Sequence, residues 1–458
     1  MIRGYCFVII LFLLFSVSSF AQAKEVSTSK NEFFSVPVIK NKFNGVSFSN
    51  VFNERWPFFE AVLSVKMPHS SREFPVGITR VFYSYLIENQ KETPLFGELK
   101  ENIYYVVTPG MLQIHLRTYS WNKNKLIKFF IKNYSKLKFS KETLDKVKNK
   151  IKLKAIESKE NHNALINGLF SQQVGEDELS LNLIKLESQL SKITTKALSD
   201  FFLSSFRLEN MSLAFLGSGI DETKKNQLAN FLLGFKNNPA ADGPPFKKEL
   251  SFAPKYSIVN KPGNYESTLY FSFEVPGEKS KDFQKINLSR SLLFDSYGSL
   301  LKKRIRDELR LTNVLNSELV ILNKKHYLRI KTKVEHKHVY KTIFEVMSFF
   351  STLKSSLVSP AILSEVKNEL INESLIYYSS LSNYLLRVGH QRLFNHVSEM
   401  NNHLNNLNEV KMDDLQVMIL KYFTKSKMIV SVVGDTKKVF SSKKEFSKIP
   451  LKEWRSSL

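Results

Sequence analysis

Cysteine is almost missing from this chain of 458 residues, because Cys6 is the only one. A single cysteine cannot form a disulfide within the chain. The folded protein must therefore be held together by hydrophobic cores. A single core stops growing at roughly 250–300 residues, so a chain of this length is expected to form at least two domains.

Long apolar runs are missing after the first segment, and a membrane span needs about 20 such residues. The first segment has Arg3, a short apolar run that ends near Phe15, and then Ala21-Gln22-Ala23. This order is typical of a secretory signal peptide. We predict that residues 1–23 are cleaved and that the mature chain is secreted across the inner membrane into the periplasm. A retained anchor is the alternative.

Acidic residues are in the minority, since 43 Asp and Glu stand against 67 Lys and Arg, a formal net charge of +24. A membrane surface, a nucleic acid or an acidic protein would each be attracted to such a chain. The lysines are spread along the sequence, however, without a dense basic block or a nucleic-acid-binding motif. We interpret the charge of this basic protein as a matter of composition and predict no nucleic-acid partner.

Motifs of several enzyme classes are missing as well. No nucleotide-binding or dinucleotide-binding pattern occurs, and no recognisable setting for a catalytic serine. His336 and His338 are predicted to lie in a solvated loop, and His390, His396 and His403 lack the spacing of metal ligands. The sequence predicts no metal site and no cofactor in this chain.

An internal repeat is present. Ile193–Gly217 can be laid over Val410–Gly434 without gaps, at an offset of 217 residues. Residues 139–151 match residues 358–370 in the same way, at an offset of 219. The first pair predicts an amphipathic helix, a turn, a buried strand and a glycine. This period is too long for a solenoid and indicates two copies of one domain.

The local patterns divide the chain and give its fold class. Ser140 and Ser359 are predicted helix N-caps, each before a long helix. Strand candidates alternate apolar and polar residues, as in a sheet with one covered face. Proline, glycine and polar residues mark a linker at 237–253, between an N-terminal domain at 24–236 and a C-terminal domain at 254–458. The prediction is α+β: two tandem homologous domains, each a mainly antiparallel sheet covered by helices.

Three stretches resemble one family in their order and spacing: FNGVSFSNVF (43–52), SLAFLGSGIDETKKNQLANFLLGF (212–235) and SLLKKRIRDELRLTNVLNSEL (299–319). They are similar to the pitrilysin/insulinase-type metallopeptidases, the inverted zincins, which include the mitochondrial processing peptidase. The resemblance covers nearly the whole mature chain. It implies the tandem α+β architecture of that family.

The family's zinc motif is not preserved. His-x-x-Glu-His places two histidines on one helix face to bind zinc, and its glutamate activates the bound water. The family pattern G-L-A-H-F-L-E-H falls on GITRVFYS (77–84), so Arg80, Tyr83 and Ser84 replace the histidine, glutamate and histidine. Glu157 and Glu160 lie near the position expected for the third ligand.

The second-domain motif is altered too. Active members contribute an Arg and a Tyr that bind the substrate backbone and stabilise the oxyanion. The family pattern R-E-K-x-G-L-x-Y falls on RDELRLTN (306–313), where Arg306 is kept, Arg310 replaces the glycine and Asn313 replaces the tyrosine. The resemblance implies that Arg306, and more weakly Asn313, still contacts a substrate backbone or a partner.

The resemblance therefore implies a non-catalytic homologue. We expect the zinc-less partner subunit of an active zinc peptidase, helping to bind and enclose peptides or unfolded segments, with zinc only in the partner. A homodimer is an alternative assembly. The alternative function is a structural scaffold of the cell envelope built on the same domain pair, and an active peptidase with an unrecognised site is the third possibility.

Overall fold

The computed structural model describes residues 33, 36 and 38–454, apart from 44–45, 68–73, 92–102, 109, 136, 176–182, 240–254, 297, 323–324, 354–358 and 395–399. The predicted signal peptide and all of the predicted linker beyond residue 239 lie outside the described residues. The elements below all belong to one unit, Phe34–Leu458. No helix in the described ranges is long and apolar enough to cross a membrane.

The first half of the chain forms a six-stranded sheet. Its strands are β1 (Val38–Phe43), β2 (Val46–Phe52), β3 (Phe58–Lys66), β4 (Ile103–Thr108), β5 (Met111–Tyr119) and β6 (Met211–Gly217). They lie in the order β1-β2-β6-β3-β5-β4. Only β2 and β6 are parallel neighbours, and every other pair in this sheet is antiparallel.

Seven helices accompany this sheet in the described part of the chain. They are α1 (Ile78–Lys91), α2 (Lys123–Tyr134), α3 (Lys141–Glu160), α4 (His162–Val174), α5 (Leu183–Gln189), α6 (Thr195–Ser205) and α7 (Glu222–Leu233). All except α4 contribute buried side chains to one core with the apolar face of the sheet. Many of these side chains are phenylalanines, such as Phe82 in edge-to-face contact with Phe201.

The second half repeats the arrangement. Its strands are β7 (Tyr256–Asn260), β8 (Glu266–Val275), β9 (Leu315–Leu322), β10 (Lys325–Glu335), β11 (Ile429–Gly434) and β12 (Lys452–Glu453). Its helices are α8 (Phe283–Arg290), α9 (Leu300–Lys302), α10 (Val339–Thr352), α11 (Pro360–Ser379), α12 (Leu381–Leu393), α13 (Met400–Asn408), α14 (Met412–Tyr422) and α15 (Thr436–Ser441). π-helical turns at Ser291–Asp295 and Lys303–Glu308 extend α8 and α9.

The two sheets share the arrangement of five strands and differ at one edge, where β1 is antiparallel to β2 but β12 is parallel to β7. The second lies in the order β12-β7-β11-β8-β10-β9, with β7 parallel to β11 as β2 is to β6. Helices α3 and α11, and likewise α4 and α12, start and end 219 residues apart, while α6 and α14 are 217 apart. The predicted α+β fold class is thus confirmed. The predicted N-caps are also confirmed, since Ser140 and Ser359 accept backbone hydrogen bonds at the starts of α3 and α11.

The two halves exchange one helix each. Helix α4, from the first half, packs against β7, β8 and β11 of the second sheet, and α12 packs against β2, β3 and β6 of the first. The expectation that each sheet has only one covered face is therefore wrong. Alternation of apolar and polar residues along a strand shows which face is polar, but it does not show that this face is exposed. Here the polar face is buried as well, under the exchanged helix.

Side-chain hydrogen bonds hold the exchanged helices on these polar faces. On the first sheet, Gln113 Nε2 donates to the carbonyl of Leu386 at 2.9 Å, and Ser212 Oγ donates to the carbonyl of Gly389 at 2.9 Å. On the second sheet, Gln173 Nε2 of α4 donates to the carbonyl of Val430 at 3.0 Å. The helix that covers each polar face thus pairs part of its polar groups, whereas Ser49 Oγ on β2 and Ser272 Oγ on β8 are buried without a hydrogen-bond partner among the described residues.

Glu60 anchors one of these interfaces. It is fully buried on β3, with one oxygen 2.7 Å from His115 Nε2, while the other accepts from Ser382 Oγ at 2.8 Å and from Trp56 Nε1 at 3.2 Å. Burial alone would raise the pKa of Glu60, but hydrogen bonds from His115 and Ser382 and the charges of His115 and Arg117 outweigh it and lower the pKa. Glu60 is therefore an ionised group shared by both halves.

Gly389 sets how closely α12 approaches the sheet. A Cβ atom there would lie 2.6 Å from Ser64 Oγ and 3.3 Å from both Gln113 Nε2 and Val62 Cγ1. We expect Gly389→Ala to lower the free energy of unfolding by about 1–3 kcal/mol in urea denaturation, because overpacking forces the helix outward. Gly298→Ala, at a position with nothing within 4 Å, is the control. Equal midpoints for the two variants would contradict this packing.

Glu60 predicts an acid-sensitive stability. Because its folded-state pKa is lowered from the ordinary 4.5, its ionisation stabilises the fold above that value, and this contribution is lost as pH falls through the folded-state pKa. Glu60→Gln should be less stable at neutral pH by about 3 kcal/mol. It should also lose less stability than the native chain as urea unfolding is repeated at decreasing pH.

The control is Glu157→Gln, which changes an exposed carboxylate. Parallel curves of stability against pH for Glu60→Gln and the native chain would refute the role of Glu60.

Candidate functional site

The segment over which the zinc motif aligns does form a helix. Gly77 precedes α1 with a φ of +86°, a conformation that suits glycine, and a Cβ atom there would collide with Leu186 at 2.1 Å. Ile78 then begins the helix. Arg80, Tyr83 and Ser84 lie within the first two turns of α1, and all three side chains are half-buried.

Aromatic side chains pack against one another beside α1. The ring of Tyr83 stands edge-on to that of Tyr105 at 6.2 Å, and the hydroxyl of Tyr105 is 2.8 Å from that of Tyr134. Burial raises the pKa of Tyr105 to about 12, although the hydrogen bond with Tyr134 lowers it in part. Both of these buried phenols therefore stay neutral and act as packing groups.

The residues at the motif positions do not fit a zinc ion. Partial burial lowers the pKa of Arg80, but a guanidinium still stays protonated in proteins and repels a dication. A tyrosine and a serine supply only weak ligands in place of glutamate and histidine. No cluster of three His, Cys, Asp or Glu that could hold a metal occurs in the described part of the chain.

The two candidate glutamates for the third-ligand position lie near the end of α3. Glu157 is exposed. Glu160 is exposed too and forms an ion pair with Lys261, at the end of β7 in the second half. Neither carboxylate is grouped with other metal-ligating side chains in the described residues, so both serve as surface charges here.

The second-domain motif lies on an irregular backbone. Arg306 is in the π-helical turn and donates from Nε to Asp307 Oδ1 at 2.7 Å, with its side chain 32% exposed. Asn313 is exposed in the turn that precedes β9. The turn is fixed by Thr332, whose hydroxyl donates to Thr312 Oγ1 at 3.0 Å. Arg306 and Asn313 are thus held on the surface at the two ends of one rigid turn.

Arg310 shows how faithfully this turn is preserved. Its φ is +50°, and it is the only non-glycine residue with a positive φ in the described part of the chain. This is the position at which the family pattern has glycine. The backbone at this position is therefore left-handed, a conformation that suits glycine, although Arg310 has replaced the glycine.

The histidines differ from their prediction in one case. His336 was expected in a solvated loop, but it is buried, with Nδ1 2.7 Å from Ser267 Oγ and Nε2 2.7 Å from the carbonyl oxygen of Asn264. It is a satisfied core histidine. Burial lowers the pKa of His403 to about 4, so that ring is neutral, and it is 2.6 Å from Gln284 Nε2.

A cleft lies between the two halves, and sequence reasoning did not identify the residues that line it. It has a volume of about 620 Å³. Its lining combines β4 and β5 of the first sheet, the β9–β10 edge of the second, and the junction of α11 with α12: among others Thr108, Gln113, Glu278, His326, Tyr377, Tyr378, Arg387, His390 and Phe394. These residues are hundreds of positions apart and share no motif, so only the fold reveals that they meet.

Arg310 gives a direct test of backbone strain. A left-handed conformation costs a residue with a side chain roughly 1–2 kcal/mol, while glycine gives back part of this through its greater freedom in the unfolded chain. We expect Arg310→Gly to raise the free energy of unfolding by about 0.5–1 kcal/mol. Arg310→Ala, which keeps the strain, should leave it unchanged. A loss of stability in Arg310→Gly would show that the arginine side chain matters more than its backbone.

Comparison with known proteins gives one family match. Residues 192–370 match the family described as the peptidase M16 inactive domain. No curated protein matches the sequence of the chain.

Solved structures share the fold. A peptidase M16 inactive domain from Pseudomonas fluorescens has a TM-score of 0.73 at 17% identity, covering 87% of this chain and 98% of that one. A protease from Helicobacter pylori has a TM-score of 0.72 at 15% identity, covering 87% and 100%. An M16-like peptidase from Alicyclobacillus acidocaldarius has a TM-score of 0.70 at 12% identity, covering 88% and 99%.

Proposed function

We propose that this chain, a homologue of the pitrilysin/insulinase-type (M16) peptidases without their zinc motif, is the non-catalytic partner of a zinc-bearing relative. The match of residues 192–370 to the inactive domain confirms the family resemblance and supports the expectation that the chain is not a peptidase on its own. In the proposed complex it helps to bind and enclose peptide substrates, and zinc resides in the partner. The proposed location is the periplasm, as the predicted signal peptide suggests.

One observation supports the proposal most directly. The two motif regions have the backbone conformation that their glycine positions require, but the side chains for zinc binding and catalysis have been substituted. Gly77 still bends the chain before α1, and Arg310 still adopts the left-handed conformation. The two histidines and the glutamate of the zinc motif have been exchanged for Arg80, Ser84 and Tyr83. Preserved shape with absent chemistry fits a subunit that contributes walls and contacts to a site whose metal is elsewhere.

The surface around the second motif can contact a peptide. Arg306 and Asn313 are both accessible at the ends of one fixed turn, and side-chain amides and guanidinium groups are hydrogen-bond donors for backbone carbonyls. The cleft between the halves adds the aromatic side chains of Tyr377, Tyr378 and Phe394. Its volume of about 620 Å³ lies in the range of small-ligand pockets, enough for a short peptide segment.

The alternative, a structural scaffold of the cell envelope, has no specific observation in its favour. The family matched by residues 192–370 is described as a peptidase domain.

The proposal is tested by reconstitution. The chain is isolated from osmotic-shock fluid, where export predicts it, and is assayed on fluorogenic peptides alone and with a zinc-bearing relative from the same organism. We expect no activity from this chain alone and increased activity from the mixture. Arg306→Ala should reduce that increase about tenfold, the effect of one charged hydrogen bond, whereas Lys303→Ala, an exposed neighbour, should not.

Equal activity of the relative with and without this chain would reject the partner role. Retention of the chain in the cytoplasm would reject its export, and an Arg306→Ala variant with full stimulation would remove Arg306 from the substrate contacts.

A further inference from the structure

The two long equivalent helices α3 and α11 carry opposite charges at equivalent positions. At the offset of 219 residues, three lysines of α3 correspond to three glutamates of α11: Lys146 to Glu365, Lys150 to Glu369 and Lys154 to Glu373. Residues four apart lie on one face of a helix. One helix therefore has a basic stripe and its counterpart an acidic stripe with the same spacing.

The acidic stripe brings three carboxylates together on one face of α11. In the described residues, none of its three carboxylates forms an ion pair. Burial and the like charges of Glu373 and Glu365 raise the pKa of Glu369. The charge of Lys302 offsets this rise only in part, and a basic partner would relieve the repulsion among the three neighbouring carboxylates.

The basic stripe is only partly used. Lys146 pairs with Glu142 of its own helix at 3.1 Å and Lys150 with Glu88 of α1 at 2.5 Å, yet both side chains remain about half exposed. Lys154 is exposed and has no ion pair among the described residues. The ion pairs of α3 lead to α1, to the helix itself and to the end of β7, and none joins it to α11.

Apolar side chains accompany both stripes. On α11, Ile362 (39% exposed) and Ile376 (73% exposed) bracket the glutamates at spacings of three residues, on the same face. On α3, Leu153 (62% exposed) and Ile156 (58% exposed) lie beside the lysines. Apolar groups framed by charges are typical of helices that pair with another helix.

We propose that a second copy of this chain covers these faces, with α3 of each copy on α11 of the other. A twofold axis would form both contacts at once, as expected of a symmetric dimer. Lysines and glutamates that repeat every four residues, about 6 Å apart along a helix, can meet as three pairs in each contact. The exposed isoleucines and leucine then become buried beside the ion pairs.

The charge pattern favours a second copy of this chain as the partner that covers α3 and α11. Both halves of the complementary pattern are in this one chain, equal in number and spacing. The chain as a whole carries +24, so two copies repel each other except where the acidic stripe is presented. Charge complementarity of this kind fixes the register and the partner.

This dimer does not depend on the proposed function. Self-association is measured on this chain alone, without a peptidase or a peptide, so either proposal can fail while the other holds.

Charge reversal tests the dimer. The mature chain is examined by sedimentation equilibrium beside a variant with Glu365, Glu369 and Glu373 changed to lysine, and a variant with Lys146, Lys150 and Lys154 changed to glutamate. We expect the native chain to dimerise, and each variant alone to bind itself about 100-fold more weakly or worse, because all contacts become repulsive. Mixed one to one, the two variants should dimerise again, since each supplies the stripe that the other lacks.

The mixture separates a lost interface from a lost fold, because misfolded chains would not restore the dimer. A control variant with Lys192, Lys196 and Lys236 changed to glutamate, all exposed and outside α3, should dimerise like the native chain. A monomeric native chain, triple variants that still self-associate, or a mixture that stays monomeric would each overturn the proposal.

Discussion

The exchange of helices between the two halves is the constraint on which the rest of the structure depends. Each sheet buries one apolar face in its own core and one polar face under a helix of the other half. Gln113, Ser212 and Gln173 make these hydrogen bonds only while the exchange is intact, because the bonds join the sheets to α12 and α4. A buried carboxylate, Glu60, is among the groups committed to this interface. The two halves, although duplicated, therefore cannot be treated as independent bodies.

This rigid framework explains how the chemistry could disappear without loss of the fold. Helix α1, over which the zinc motif aligns, is held by its buried apolar side chains, such as Phe82, and by the glycine turn before it. None of these supports requires a metal. The second motif is likewise fixed by Thr312 and Thr332, so that Arg306 and Asn313 remain positioned although the tyrosine and glycine of the family are gone.

Much of the fold could be predicted from local patterns. The repeated helix, turn and strand ending at Gly217 and Gly434 recur in the structure, and Ser140 caps its helix as its position indicated. The helix exchange could not be predicted, because hydrophobic periodicity reports that a face is buried and not which element covers it. His336 was predicted to be solvated because the sequence does not show which residues pack around it. The domain boundaries remain predictions, as does the role of every candidate site residue.

The central claim is that this chain keeps the shape of a zinc peptidase and has lost its metal. The zinc content of the purified mature chain, measured by mass spectrometry after dialysis against micromolar zinc, tests it most directly. Far less than one zinc per chain is the predicted result, since Arg80, Tyr83 and Ser84 offer no adequate ligand set. One tightly bound zinc per chain, retained through gel filtration, would contradict the account.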